Sequence, residues 1–276
     1  MRKKLLFLIA CLSIVLLVSG CGIMRGEEAE FEDPNLEAAV RENIDKSSGA
    51  IYQDEIKDIK ELHAVSKGIE SLEGIDNLVA LETLILSQNQ IEDLSPLVEL
   101  EDLKELNIQS NNIADITPLA ELDKLEVLTL GDNRINDISP LKELSNLKSI
   151  NLSNNQLTNI SEIAKLKDLE RLILDRNQIK DISPLIKLDN LKELFFVHNQ
   201  VEDISPLAEI AALEILSFGY NNVSDISPLV ENEGLGQGDF INFEGNHLDY
   251  SEGSEDMENI NILLDRNIQL LYRRMY

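Results

Sequence analysis

Aspartate, histidine and asparagine are the side chains of this sequence whose spacing could carry chemistry. Asp93, Asp115, Asp137, Asp181, Asp203 and Asp225 recur in steps of 22 residues or twice that. Stacked roughly 5 Å apart, such carboxylates would form a ladder able to collect Ca²⁺ loosely. Each neighbouring pair would repel by about 1 kcal/mol in water, less with salt. The competing use of an aspartate is to close a turn onto its own backbone, and that use is the expectation here. His63, His198 and His247 lie in different units, although His198 could reach Asp175 or Arg176 across adjacent strands. No serine or cysteine has a defined place beside them for nucleophilic attack. No G-x-S-x-G, H-E-x-x-H or phosphate-binding glycine loop occurs. The sequence therefore predicts a protein that is not an enzyme and holds no cofactor and no metal. An asparagine column (Asn89, Asn111, Asn133, Asn155, Asn177, Asn199, Asn221) has the same period. An inward amide satisfies buried backbone groups that an apolar residue would leave orphaned, so these asparagines are expected to be scaffold.

The period belongs to the whole chain. Leu81, Leu103, Leu125, Leu147, Leu169, Leu191 and Leu213 open seven copies in register. A fixed period of this length predicts a solenoid, in which no copy buries its apolar face alone. Aromatic residues make up 4% of the chain, so the core must be aliphatic. Each copy reads L-x-x-L-x-L-x-x-N-x-I/L/V, as in Leu169, Leu172, Leu174, Asn177 and Ile179. The alternation Leu172-x-Leu174 predicts a short strand with both leucines inward, and stacked copies give a parallel sheet. The return half reads D-I-S-P-L, as in Asp181 to Leu185. Ser183 is suited to N-cap a turn that Pro184 begins, and the short span favours 3₁₀ over α-helix. The fourth copy departs with Ser161-Glu162-Ile163, keeping an apolar residue at Ile163.

The repeats are expected over residues 59–248, about nine units including a degenerate first one in which Lys67 replaces the asparagine. In the eighth regular copy Ile241, Phe243, Asn246 and Leu248 restore the pattern with the asparagine three residues late, after an insertion around Leu235-Gly236-Gln237-Gly238. Residues 31–58 are expected to cap the open N-terminal end. Asp33 is a natural N-cap before Pro34, Leu36, Val40 and Ile44 form one stripe, and a second short helix is expected at Gln53 to Ile59. Residues 249–276 are expected to cap the other end with a helix beginning near Ser254 and a last strand at Ile268 to Tyr272.

Residues 1–20 read as an export signal. Arg2, Lys3 and Lys4 precede an apolar run, Leu5 to Val18, of 14 residues, short of the roughly 20 needed to span a bilayer. Val18-Ser19-Gly20-Cys21 resembles a bacterial lipobox, which predicts lipid on Cys21, membrane attachment through it, and a tether over residues 21–30. Cys11 would leave with the signal, so no thiol remains for a disulfide. The formal charge of −27 rises to −30 when three positive charges leave with the signal. So acidic a surface repels nucleic acid and anionic lipid headgroups and suits basic or neutral partners.

Repeats of this length carrying N-x-I-x-D-I-S-P-L resemble the internalin-like leucine-rich repeat proteins of Gram-positive bacteria. The resemblance runs from about Phe31 to Arg274 and includes Asp33-Pro34-Asn35-Leu36-Glu37-Ala38-Ala39-Val40 and Lys67-Gly68-Ile69-Glu70-Ser71-Leu72-Glu73-Gly74. It implies an α/β solenoid: a curved right-handed superhelix, parallel β-sheet on the concave side and short 3₁₀ turns on the convex side. It also implies recognition of a protein or peptide on the concave face. The chain departs from surface internalins in lacking a wall-sorting motif and a following immunoglobulin-like domain, and lipid at Cys21 would take the place of wall anchoring.

Side chains between the inward leucines point out from the sheet. In the earlier copies they are small and polar, as with Thr83, Asn107, Gln109, Thr129, Asn151 and Ser153. In the later copies Ile173, Phe195, Val197, Ile215, Tyr220 and Phe240 are bordered by Arg171, Asp175, Arg176, Glu193 and His198. Aromatics with an arginine rim are the composition of an interface hot spot. The expectation is a lipid-anchored extracytoplasmic protein that binds a partner there. The alternative is a scaffold of the bacterial envelope without a tight ligand.

Overall fold

The computed structural model describes residues 26–272. The export signal and Cys21 lie outside the described residues, as do the last four residues of the C-terminal cap. Among the described residues no helix is long and apolar enough to cross a membrane.

The chain opens with β1 (Glu28–Ala29), α1 (Pro34–Asn43), β2 (Ile51–Tyr52) and α2 (Gln53–Ile56). The strands β1 and β2 pair antiparallel, Ala29 opposite Ile51. The tether expected to run through residue 30 is therefore shorter. Ala29 and Phe31 are buried, and the segment crosses so closely over Gly74 that a Cβ there would lie 2.2 Å from the Glu30 carbonyl oxygen. Gly74 also has φ +95°, so a side chain is excluded twice over. Helix α1 begins as its sequence requires, with Asp33 Oδ1 accepting from the N–H of Asn35 (2.7 Å) and Leu36 (3.3 Å). Its inward stripe is Leu36, Ala39 and Val40, with Ile44 partly buried.

Nine short strands follow, 22 residues apart except for the last, which is 25 on: β3 (Glu61–His63), β4 (Thr83–Ile85), β5 (Glu105–Asn107), β6 (Val127–Thr129), β7 (Ser149–Asn151), β8 (Arg171–Ile173), β9 (Glu193–Phe195), β10 (Ile215–Ser217) and β11 (Phe240–Asn242). After α3 (Ser227–Glu231) and α4 (Glu255–Asp265), β12 (Gln269–Leu271) closes the sheet. These ten strands, β3 to β12, form one parallel sheet in sequence order. The middle residue of each strand from β3 to β11 is buried; in β8 it is Leu172, with Leu174 and Ile179 equally sealed. Each such side chain, removed from water, contributes about 1.5–3 kcal/mol, and each depends on the copies above and below for its burial.

The asparagine column stitches neighbouring copies. Asn177 Nδ2 donates to the carbonyls of Leu152 and Leu174 (3.0 Å each), while its Oδ1 accepts from Leu157 N–H (3.0 Å). Where Lys67 stands in place of asparagine, its own N–H donates to Asn89 Oδ1 at 3.0 Å.

The return half is a 3₁₀ turn in seven units, including Ser161–Lys165, which has no proline. Ser183 is not its N-cap. The aspartate two residues earlier does that work: Asp181 Oδ1 accepts Ser183 N–H at 2.8 Å. Asp93, Asp115, Asp137, Asp203 and Asp225 do the same at 2.8 Å, and in the divergent fourth copy Asn159 substitutes at 2.9 Å. Ser183 is the first residue of the turn and Ile182, at the cap position, has no polar side chain, so the carboxylate of Asp181 closes onto the free Ser183 N–H two residues on. The last turn, α3, is α-helical rather than 3₁₀. The extra residues of that copy leave room for an i→i−4 bond from Asn232 N–H to Pro228 O (3.1 Å). At the C-terminal end Ser254 caps α4, accepting Met257 N–H, and β12 extends the sheet parallel to β11.

Candidate partner-binding face

Backbone register places the outward side chains in rows across the sheet. One row runs Arg171, Glu193, Ile215, Phe240 and the next runs Ile173, Phe195, Ser217, Asn242. Ile173 is therefore the direct neighbour of Phe195, and Ile215 of Phe240, but the two pairs lie in different rows. The apolar residues form a diagonal strip, stepping across the sheet where Glu193 and Ser217 intervene. Val197 follows in a third row beside Asp175, and Arg176, His198 and Tyr220 occupy a fourth.

Strand spacing of about 4.8 Å makes these side chains cover one another. Ile173, Phe195, Val197, Ile215 and Phe240 are half-buried, and Tyr220, at 45% exposure, is the most exposed member of the set. Arg171 pairs with Glu193 and lies over the Phe195 ring, its guanidinium carbon 5.1 Å from the centroid, a cation–π contact. Ser217 is buried, its hydroxyl accepting from Asn242 Nδ2 at 3.1 Å. His198, expected to reach towards Asp175 or Arg176, stacks on Tyr220 with centroids 4.5 Å apart and planes at 16°. The Tyr220 hydroxyl donates to Glu244 Oε1 at 3.3 Å.

Asp175 is the carboxylate inside this face. Its Oδ1 accepts Val197 N–H at 2.7 Å. Burial pushes its pKa above the ordinary value, against the opposing Val197 hydrogen bond and the charges of Arg176 and His198. The equivalent N–H groups elsewhere are met by neutral side chains. Asn107, Asn151 and Asn242 each accept from the residue two positions on. The polar half of the face is thus largely occupied with its own backbone.

Three columns escaped the sequence reading. Lys60, Glu82, Lys104, Glu126, Lys148, Glu170, Lys192 and Glu214 alternate in sign along the sheet edge. Glu82 sits between Lys60 (2.6 Å) and Lys104 (2.5 Å), and hydrogen bonds from both hold its pKa down at about 2. A second column has left-handed backbone without glycine: Ser66, Gln88, Ser110, Asp132, Asn154, Arg176, His198 and Tyr220, φ between 51° and 60°. A third, inside the core, is a stack of Phe196, Phe218, Phe243 and Tyr272 with centroids 5.5 to 6.1 Å apart. The repeat period carried the signal for the first two. The aspartate ladder holds no metal-binding constellation: among the described residues no group of three or more His, Cys, Asp or Glu is placed to hold an ion.

The family model "Leucine Rich repeats (2 copies)" matches residues 79–121, 101–143, 145–187 and 189–231. No curated protein matches the chain in sequence. Among solved structures it is similar to an internalin (inlF) from Listeria monocytogenes, with 32% identity, TM-score 0.78, and coverage of 88% of this chain and 68% of that one. It is similar also to internalin C2 (inlC2) of the same organism, at 36% identity and TM-score 0.73, covering 78% of this chain and 97% of that one. The ectodomain of the plant membrane receptor kinase GASSHO1/SCHENGEN3 from Arabidopsis thaliana, in complex with Casparian strip integrity factor 2, shares the fold at 24% identity and TM-score 0.58, over 70% of this chain and 25% of that one. Repeat, register, capping helix and these likenesses agree: the chain belongs to the internalin-like leucine-rich repeat proteins.

Proposed function

We propose that the protein is a lipid-anchored extracytoplasmic binding module that holds a protein or peptide partner on its sheet face, without catalysis. The observation that carries this is the diagonal strip Ile173–Phe195–Ile215–Phe240 with Tyr220 beyond it. None of these side chains serves the buried core, and in earlier copies the same rows are mostly polar (Thr83, Glu105, Asn107, Thr129, Ser149 and Asn151, with Ile85 and Val127 apart from one another), so the scaffold does not require an apolar strip there. Apolar surface that a scaffold does not need is usually there for a partner. A plant receptor ectodomain of the same fold, solved in complex with Casparian strip integrity factor 2, supports the use of such a solenoid for binding. Lipid at Cys21 would place the module at the outer face of the cytoplasmic membrane, and the Val18-Ser19-Gly20-Cys21 sequence supports that.

Photocrosslinking from residue 195 in intact cells, with the same substitution at residue 129 as control, tests the reading. One discrete adduct from 195, lost in the Ile173→Ala/Tyr220→Ala background, is the expected result. The double variant should unfold within about 1 kcal/mol of the parent, because it empties no buried site. Identical adducts from both positions would reduce the protein to an envelope spacer.

A further inference from the structure

Asp175 is more than the face requires. Its scaffold task, accepting the Val197 N–H, uses Oδ1 alone. Neutral asparagines perform that task for Gln109, Ser153 and Glu244. The equivalent position in other copies is Val65, Ser87, Gln109, Gly131, Ser153, Val197, Gly219 or Glu244, so seven of those eight copies do without a carboxylate there. Asp175 Oδ2 has no hydrogen-bond partner, and the residue has no ion pair, among the described residues. A half-buried, unpaired charge destabilises the free protein. The chain as a whole carries −27, a field that draws cations towards the molecule and holds anions off.

We infer that Asp175 is the anchor for a cationic side chain, lysine or arginine, carried by an extended partner segment next to the apolar residue that covers the Ile173–Phe195 pair. This rests on the binding reading above and names the chemistry of its partner. Arg176 is the local competitor. Its exposed guanidinium makes no hydrogen bond or ion pair among the described residues, yet its charge acts on Asp175. A cation arriving at Asp175 must meet that charge. Arg171 does not compete, being held by Glu193 and Phe195.

The probe is an array of synthetic peptides of about twelve residues, roughly 40 Å when extended, which spans the about 14 Å from β8 to β11 with flanking residues to spare. Each carries an apolar pair beside one variable position holding lysine, norleucine or glutamate, read with the purified protein. Lysine peptides should bind roughly tenfold tighter than their norleucine counterparts at low salt. Asp175→Asn, which keeps the acceptor for Val197, should erase that difference while leaving norleucine peptides bound. Arg176→Gln should enlarge it. Preference for glutamate, or a lysine preference indifferent to both substitutions, overturns the assignment of Asp175 while binding stands. Retention of no peptide of any set, or binding unaltered by Phe195→Ala, overturns the binding reading and the assignment with it.

Discussion

Asp33 shows how much one carboxylate can organise. Its Oδ1 caps α1, and its Oδ2 accepts from Glu70 N–H (2.7 Å) and Ser71 N–H (3.1 Å) in the first repeat. Burial opposes the charge, but those four backbone donors outweigh it and hold the pKa below the ordinary 3.8. A group whose pKa is depressed on folding contributes stability above its unfolded value and loses it as pH falls through the folded one. Asp33→Ala should therefore cost about 2–3 kcal/mol at neutral pH, from a lost cap and two orphaned N–H groups. In urea denaturation followed from pH 7 downward, the gap between parent and variant should narrow below 3.8. A gap independent of pH would mean that the charge contributes nothing. The left-handed column makes a related point. Arg176, His198 and Tyr220 occupy a backbone conformation that glycine would adopt at lower cost, so their side chains answer to something other than the turn.

The repeating element is a strand, a side-chain-capped corner and a tight return. Its neighbours are bound by contacts whose partners sit 22 residues apart, such as Lys148 Nζ to Glu126 (2.6 Å) and Lys192 Nζ to Glu170 (2.7 Å). Stacking forces identical positions together, so a column of like charge would repel itself, and alternation removes the problem. Glu126→Lys would set three lysines in succession at 104, 126 and 148. It should lower the thermal midpoint in dilute buffer, and most of the loss should disappear at about 1 M NaCl, where the Debye length is about 3 Å. An undiminished loss in high salt would point to packing instead of charge. The core stack of Phe196, Phe218, Phe243 and Tyr272 follows the same logic of like on like, with ring faces supplying the contact.

At the scale of the molecule the solenoid is nearly one-dimensional, and its two ends are where it must be closed. The N-terminal end is sealed by α1 and the segment around Ala29 and Phe31, the C-terminal end by α4 and β12. Stability in such a fold is a sum over units and their interfaces, so whole units should be removable. Deleting residues 103–146 excises two units, leaves the asparagine column and the Lys/Glu alternation in phase, and spares Arg171 to Phe240. The shortened protein should stay folded, with a reduced denaturant m-value as its exposed surface shrinks. Deleting residues 103–135 breaks the phase and should abolish cooperative unfolding by circular dichroism. Equal behaviour of the two deletions would contradict the stacked architecture.

Contacts one repeat apart follow from the period, because residues at equal offsets must stack. The inward leucines, the asparagine stitches, the aspartate turns and the ten-stranded parallel sheet were therefore legible in the sequence. The two caps were legible from Asp33-Pro34 and Ser254. Contacts without a period were not. Nothing in the sequence joins Asp33 to Glu70 and Ser71, or lays Glu30 across Gly74, and these depend on how the cap docks. The candidate face divides in the same way. Its residues could be named from the strand alternation. Only the folded sheet decided that the apolar set is a diagonal, that Arg171 is spent on Glu193 and Phe195, and that Asp175 keeps an unpaired oxygen. The repeat dictates where a side chain stands, whereas its burial and charge partners depend on which residues happen to occupy the copies on either side.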